Sequence, residues 1–162
     1  MIAGTLSVAS PAFAAGTEIP PRFTGDGEDA SPALTWSGVP DGVEELAVLC
    51  DDPDAPTPEP WVHWVIYGIP GDAEGLPEGI PRKAFVTGPV RATQGVNTWT
   101  SDNVGYRGPA PPPGHGTHHY HFKVFALDEP LDLPPGTDKK GLLSAMDGHV
   151  VATGELVGTY ER

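Results

Sequence analysis

The chain has 162 residues, enough for one domain with a substantial core, and its 21 glycines and 20 prolines separate short apolar runs, as in a turn-rich β protein. The net charge of −13 excludes the basic surface that nucleic acid or an anionic membrane requires. The single cysteine, Cys50, excludes an intramolecular disulfide, and no apolar run approaches the roughly 20 residues of a transmembrane helix.

The N-terminal part of the chain predicts short strands. Ser7–Ala9 is expected to form an edge strand, because the nearby Pro11 is tolerated at a sheet edge. The Ala-Phe-Ala sequence at 12–14 is similar to a signal-peptidase site, but the first basic residue is Arg22, so the positively charged start of a leader is missing. We therefore expect a cytoplasmic protein. Residues 34–36 predict a second short strand.

The middle of the chain predicts the centre of a sheet. Residues 45–50 and 62–69 are apolar at successive positions, as in strands that are buried on both faces. Residues 84–86 predict a further short strand. From residue 88 to residue 103 the sequence is polar and without periodicity, and a long irregular segment of this kind is typically functional or mobile.

The last third predicts a strand over 118–127, a helix over 138–151 and a final strand over 156–160. The apolar face of this helix would comprise Leu142, Leu143, Met146 and Val150. Taken together, the elements predict a single domain over residues 1–162, dominated by antiparallel β structure, with one C-terminal helix.

Two proline-rich turns each precede an apolar strand that begins with histidine and aromatic residues. The first is Asp-Asp-Pro-Asp-Ala-Pro at 51–56, followed by Trp-Val-His-Trp at 61–64. The second runs from 108 to 120 and contains Pro-Pro-Pro-Gly-His-Gly-Thr-His-His-Tyr. A turn fixed by proline loses little entropy when a ligand binds, and histidine can donate hydrogen bonds to an anion. The pattern predicts one small anion-binding pocket.

Strand alternation separates the candidate side chains into two faces. It puts His118 and Tyr120 on the core side of their strand, and it puts Trp61, His63, Val65 and Tyr67 on one face of the other. A histidine among apolar residues is equally explained as a hydrogen-bonded core residue. The two aspartates also have a structural explanation. Asp52 could either orient a histidine or accept hydrogen bonds from turn amides, and for Asp54 the turn role is favoured.

Two other chemistries are less well supported. Four histidines lie between 115 and 121, but His118 points away from His119 and His121, and no cysteine or nearby carboxylate completes a tetrahedral set. We predict no native metal and no cofactor, only adventitious zinc or nickel at His119 and His121. A hydrolase would pair Asp52 with His63, yet no serine or cysteine stands beside either histidine as a nucleophile.

These motifs resemble the signatures of the phosphatidylethanolamine-binding protein family. Asp-Pro-Asp-Ala-Pro at 52–56 with His63 is similar to the first signature, and Gly-Pro at 108–109 through His-His-Tyr at 118–120 is similar to the second. The segments 19–36 and 145–158 look like the bacterial and archaeal branch that is labelled Raf-kinase-inhibitor-like. The resemblance covers nearly the whole chain and implies a Greek-key β-sandwich with a pocket for phosphate-like head groups.

The resemblance also implies which residues form the pocket. They are Asp52, Trp61, His63, Gly108, Pro109, His118 and Tyr120. Asp54 and Pro56 would shape the first turn, with the Ala55–Pro56 peptide a candidate for the cis form. The chain departs from the family pattern in two ways. Gly25 and Ala110 stand where relatives in this branch commonly carry cysteine, and His119 replaces an arginine, which removes a fixed positive charge.

The function implied by the resemblance is non-enzymatic binding of phosphate or a phospholipid head group, with modulation of a kinase or protease as a further expectation. One alternative is a protein-interaction inhibitor that acts through surface loops such as 88–103, independently of the pocket. The other is a hydrolase that uses Asp52 with His63 or His118. A homodimer is expected from the family branch, and neither nucleic acid nor membrane insertion is.

Overall fold

The computed structural model describes residues 4–162, so residues 1–3 of the predicted domain lie outside the description. The described chain forms ten strands and one α-helix: β1 (Gly4–Thr5), β2 (Ser7–Ala9), β3 (Leu34–Ser37), β4 (Glu45–Asp52), β5 (Trp61–Pro70), β6 (Gly75–Leu76), β7 (Phe85–Val86), β8 (Ala92–Gln94), β9 (His118–Leu127), α1 (Lys139–Met146) and β10 (Val150–Tyr160). The predominance of strands confirms the predicted fold class.

The strands form two sheets. The larger has the order β1-β10-β9-β4-β5-β8-β7, and the smaller has the order β2-β3-β6. In the larger sheet β9 returns by a long connection to lie beside β4, which gives the Greek-key order β9-β4-β5-β8. All pairs between these strands are antiparallel except β1 with β10, which are parallel. As predicted, β2 is an edge strand.

The larger sheet is the middle layer of the molecule. One face packs against the smaller sheet in a cluster that includes Trp36, Trp64 and Phe122. The other face packs under α1, where Leu142 and Met146 contact residues of the sheet such as Val65. Because apolar material covers both faces, every residue of β4 is buried, as the apolar run at 46–50 predicts for its central part.

The predicted helix over 138–151 is too long. Asp138 caps the N-terminus of α1 by accepting a hydrogen bond from the Gly141 amide at 2.8 Å, but the helix ends at Met146. Gly148 follows with a φ of +84°, which reverses the chain, and Val150 already belongs to β10. The final strand therefore starts six residues earlier than predicted.

A β-bulge in β5 overturns the predicted face for that strand. Cys50 pairs with Trp64 and Asp51 pairs with Val62, so His63 is an extra residue on β5. The bulge puts His63 on the same side as Trp64, towards the smaller sheet, whereas Val65 and Tyr67 pack under α1. The prediction that Trp61, His63, Val65 and Tyr67 share one face was therefore wrong, because strict alternation does not continue through a bulge.

The segment from 88 to 103 is more ordered than its sequence predicts. It contains β8, whose Gln94 is fully buried; the Gln94 side chain accepts from Trp64 Nε1 at 2.8 Å and donates to the Pro81 carbonyl at 2.7 Å. The Asn97 amide group donates to the Gly105 carbonyl at 2.9 Å. Buried polar side chains with satisfied hydrogen bonds hold this segment in place. Because the buried residues are polar, the sequence shows no hydrophobic periodicity.

Adjacent leucines of α1 provide a test of the layer arrangement. Leu142 is completely buried between α1 and the sheet, while Leu143 is 42% exposed. We expect Leu142→Ala to lower the free energy of unfolding by about 2–5 kcal/mol and Leu143→Ala to lower it by less than about 1 kcal/mol. Urea denaturation of the two variants measures both values, and equal losses would contradict the packing of α1 described above.

Candidate ligand-binding site

A cavity of about 230 Å³ lies where the end of β4 meets the starts of β5 and β9. Because β4 is antiparallel to both neighbours, its last residues lie beside the first residues of each, and the two proline-rich turns close the cavity. The lining residues are Asp52, Ala55, Pro56, Thr57, Trp61, His63, Trp99, Ala110, Pro111, Pro112, His118 and Tyr120. The structure thus brings five of the predicted pocket residues together.

Gly108 and Pro109 support the cavity from behind and do not line it. The Gly108 amide donates to Asp29 Oδ1 at 2.6 Å, and a Cβ atom on Gly108 would collide with the carbonyl oxygen of Phe23. The Pro109 carbonyl accepts from the Gly25 amide at 2.8 Å. Their role is therefore to hold the second turn against the segment around residue 25.

His63 is held as a neutral imidazole. Its side chain is 3% exposed, and Nδ1 lies 2.6 Å from the Arg107 carbonyl oxygen. Because a carbonyl oxygen can only accept, Nδ1 carries the hydrogen, and Nε2 is left with a lone pair. Burial lowers the pKa of His63 from 6.5 to about 4, against the smaller opposing effects of the Arg107 carbonyl and of Asp52.

Asp52 and His118 form a buried hydrogen-bonded pair. Asp52 Oδ2 accepts from His118 Nδ1 at 2.6 Å, while Oδ1 accepts from the Asp54 amide at 2.8 Å. Both carboxylate oxygens are therefore occupied within the protein. The pair fixes the orientation of the His118 ring and joins the first turn to the start of β9.

His115 extends this pair into a chain of three groups. Its Nδ1 lies 2.6 Å from His118 Nε2, so one hydrogen lies between the two rings. His115 is exposed and lies between Gly114 and Gly116, whose φ values are +76° and +95°. His115 was not among the predicted pocket residues. The sequence feature that could have indicated its position is Gly-His-Gly at 114–116, since two glycines permit a turn that returns a side chain to a neighbouring strand.

Asp54 joins the first turn to β9 a second time. Its Oδ2 accepts from both the amide and Nδ1 of His119, each at 2.8 Å. These contacts hold Asp54 outside the cavity. The Ala55–Pro56 peptide, by contrast, is not cis; the cis bond among residues 4–162 is Gly88–Pro89. The hydrogen bonds from Asp52 and Asp54 shape the turn without it.

Aromatic rings form the wall around His63. The His63 ring makes edge-to-face contacts with Trp99 and Tyr120, with centroid distances of 5.0 and 5.1 Å. Trp99 also packs edge-to-face on Trp61, and the Arg107 guanidinium lies 5.2 Å from its ring centroid. The place of Trp99 in the cavity wall could not be read from sequence, because residues 88–103 show no periodicity.

His119 and His121 are not positioned to bind one metal ion together. His119 contacts Asp54, whereas His121 Nδ1 lies 3.2 Å from Glu155. Within residues 4–162, the group of three potential metal ligands is Asp128, Glu129 and His149, at the opposite end of β9. It is a surface cluster with exposed carboxylates, remote from the cavity, and we assign it no role.

Comparison with known proteins identifies the family. Residues 9–161 match the family model described as phosphatidylethanolamine-binding protein. The chain belongs to the phosphatidylethanolamine-binding protein family. A UPF0098 protein from Methanothermobacter thermautotrophicus is 49% identical over 144 residues, covering 89% of this chain and 91% of that protein.

Two crystal structures of family members resemble the fold over almost its full length. One is a homologue of phosphatidylethanolamine-binding protein from Chlamydia trachomatis, with a TM-score of 0.85 and 36% identity over 99% of both chains. The other is YbcL from Escherichia coli, with a TM-score of 0.89 and 33% identity over 98% of this chain and 99% of that one. The family resemblance predicted from the two turns is confirmed.

In this family member, no helix within residues 4–162 is both long and apolar enough to cross a membrane.

The neutral His63 predicts how stability depends on pH. The unfolded chain binds a proton at His63 near pH 6.5, whereas the folded chain resists protonation down to about pH 4. Between these values the unfolded state binds more protons, so the contribution of His63 lowers the free energy of unfolding by up to about 3 kcal/mol as the pH falls from 6.5 to 4. Urea denaturation at pH 7 and pH 4.5 would detect this loss.

His63→Asn is the matched control for this dependence, because an asparagine does not titrate and its amide can still donate to the Arg107 carbonyl. The variant should lose less stability than the original protein over the same pH interval. Equal losses in the two proteins would show that His63 is not held neutral.

The two positions at which relatives commonly carry cysteine are adjacent here. A Cβ atom on Gly25 would lie 3.1 Å from the Ala110 Cβ, slightly closer than the usual disulfide spacing of about 3.8 Å. We expect the double substitution Gly25→Cys and Ala110→Cys to oxidise in air and to raise the free energy of unfolding by about 4 kcal/mol.

Thiol titration of the denatured double variant should then detect only Cys50, and each single variant serves as a control. Two further free thiols after oxidation would contradict the described contact between the turns.

Proposed function

We propose that this protein reversibly binds a small oxyanion, phosphate or the phosphate of a phosphorylated head group, in the cavity between the two turns. Asp52, Trp61, His63, His118 and Tyr120 would surround the ligand, with the Ala110 amide as a further donor and with Gly108 and Pro109 holding the second turn in place. In this proposal the protein does not convert its ligand.

The observation that carries the proposal is a set of hydrogen-bonding groups without internal partners. Within residues 4–162, neither the hydroxyl of the buried Tyr120 nor the amide of the exposed Ala110 has a hydrogen-bond partner, and both residues line the cavity. Prolines occupy positions 109 and 111–113, so Ala110 has the one amide hydrogen between Gly108 and Gly114. Burial raises the pKa of Tyr120, which keeps its hydroxyl protonated as a donor. Two fixed donors suit the oxygens of an anion.

Several contacts favour binding over hydrolysis. A hydrolytic base must lie beside a nucleophile, but the hydrogen bonds that Asp52 accepts come from the Asp54 amide and from His118. The one hydroxyl-bearing aliphatic side chain in the cavity lining is Thr57, and it donates to the Glu59 carbonyl at 2.6 Å. His63 bonds to a carbonyl and not to a carboxylate, so it lacks the partner that would make it a strong base.

If this protein regulates a kinase or protease, we propose that the regulation depends on ligand binding in the cavity and not on contacts made by the segment 88–103. Gln94 and Asn97 hold that segment through buried, hydrogen-bonded side chains, so it is packed into the domain and is not a free loop. Capture experiments with Tyr120→Phe would separate the two routes. A partner that is lost only when the cavity is altered supports the first, and an unaffected partner supports the second.

A pair of tyrosines tests the cavity directly. We expect Tyr120→Phe to weaken phosphate binding roughly tenfold or more, because a hydrogen bond to a charged group contributes about 1.5–3 kcal/mol. Tyr160→Phe is the matched control, since that hydroxyl donates to Asp26 Oδ2 at 2.7 Å, outside the cavity.

The measurement is an NMR titration with inorganic phosphate that follows the histidine ring signals. His63 and His118 should shift and saturate, while His121 and His149 stay unchanged. An absence of saturable shifts at every histidine would contradict the proposed function.

A further inference from the structure

Building on the proposed function, we infer that the cavity selects an oxyanion that still carries one proton, such as the monoanion of phosphate or of a phosphomonoester. Fully deprotonated oxyanions such as sulfate, and phosphodiesters, would bind more weakly. The geometry that points to this selection is the combination of two donors with one acceptor whose tautomer is fixed.

The acceptor is Nε2 of His63. Its partner nitrogen Nδ1 must carry hydrogen because it faces the Arg107 carbonyl oxygen at 2.6 Å. The hydrogen bond of the His63 ring within residues 4–162 is made by Nδ1, so Nε2 is left without a partner, and His63 lines the cavity. A neutral imidazole with a hydrogen on Nδ1 can only accept at Nε2. A bound oxyanion without a proton would therefore set an oxygen lone pair against a nitrogen lone pair.

Protonating His63 does not readily remove this conflict. The side chain is almost completely buried, and its pKa lies near 4 because of that burial. The bond from Nδ1 to the Arg107 carbonyl raises this pKa, but the effect of burial is larger. Over the pH range in which a phosphomonoester titrates, the ligand and not His63 supplies the hydrogen.

The charged residues around the cavity also favour a monoanion over a dianion. β4 contributes Asp52, which faces the cavity, and Asp51, which contacts Lys139 at 2.8 Å and Lys123 at 3.5 Å on the opposite face of the sheet. β9 contributes His118, which bonds to Asp52 and, through Nε2, to His115, and it contributes the Tyr120 hydroxyl.

The arginines near the cavity are paired with carboxylates. Arg162, whose charge acts on the Tyr120 hydroxyl, contacts Asp26 at 2.8 Å. Arg107 lies on the segment that packs against His63; its Nε lies 3.1 Å from Asp29 Oδ2, and Arg82 contacts the same oxygen at 3.1 Å. Because neither Arg nor Lys lines the cavity, the lining offers no fixed positive charge that would favour a dianion over a monoanion.

A matched pair of ligands tests the inference without altering the protein. Methyl phosphate loses its second proton near pH 6, whereas sulfate has no proton to donate at any pH from 5.5 to 8.5. Calorimetric titration with both ligands across this range gives a ratio of affinities at each pH.

We expect methyl phosphate to bind at least tenfold more tightly than sulfate at pH 5.5, and the ratio to fall towards one, by up to about tenfold per pH unit, above pH 6. Inorganic phosphate and phosphoethanolamine should behave like methyl phosphate, and dimethyl phosphate should behave like sulfate. A ratio near one at pH 5.5, or a ratio that does not change with pH, would overturn the inference while leaving the proposed anion site intact. Absence of binding by every ligand would overturn the proposed function itself.

Two variants assign the selectivity to the acceptor. His63→Leu removes Nε2 and should bring the methyl phosphate to sulfate ratio towards one. Tyr120→Phe removes a donor that both ligands use, so it should weaken both and leave the ratio unchanged. If Tyr120→Phe abolished the selectivity and His63→Leu preserved it, the assignment to His63 would be wrong.

Discussion

The buried carboxylate of Asp52 is the contact on which the site depends. It is 3% exposed, and two hydrogen bonds offset the cost of burying it, because one oxygen accepts from the Asp54 amide and the other from His118. These two bonds tie the end of β4 to its own turn and to the start of β9. Removing the carboxylate would leave the His118 nitrogen and the Asp54 amide without their acceptors, so the first turn and the histidine ring would lose their positions together.

That contact is possible because β4 lies at the centre of the larger sheet. Its antiparallel pairing with β5 and β9 brings the starts of both neighbours to its last residues. The bulge at His63 then turns one more side chain towards the same side, and the Arg107 carbonyl fixes the ring. Strand pairing therefore supplies the location of the cavity, and a few hydrogen bonds to backbone groups supply the chemistry of its walls.

Much of the fold could be predicted from sequence because its signals are local. The apolar run at 46–50 in β4 and the alternation in β9 each report burial directly, and the predicted bounds of β9 agree with the structure. The helix was predicted too long because Val150 fits a helical period, although Gly148 adopts a positive φ that ends it. The face of β5 was wrong because a bulge depends on the partner strand, which the sequence of β5 alone does not reveal.

The candidate site likewise has features that the local sequence predicts and features that it does not. The two proline-rich turns made it possible to name Asp52, His63, His118 and Tyr120, which the structure gathers around one cavity. The tautomer of His63 depends on the carbonyl of Arg107, 44 positions away, and the wall formed by Trp99 depends on a segment without periodicity. These features arise from tertiary contacts, and no pattern in the neighbouring sequence encodes them.

The position of His115 means that the free protein already carries a competitor for its own site. Nε2 of His118 is occupied by a side chain of the same molecule, so a ligand that uses this nitrogen must first displace the His115 ring. Its apparent affinity is then the intrinsic affinity multiplied by the fraction of molecules in which the ring has swung away. Because His115 is exposed and flanked by glycines, a substitution there could tune ligand binding across relatives while every residue of the cavity wall stays the same.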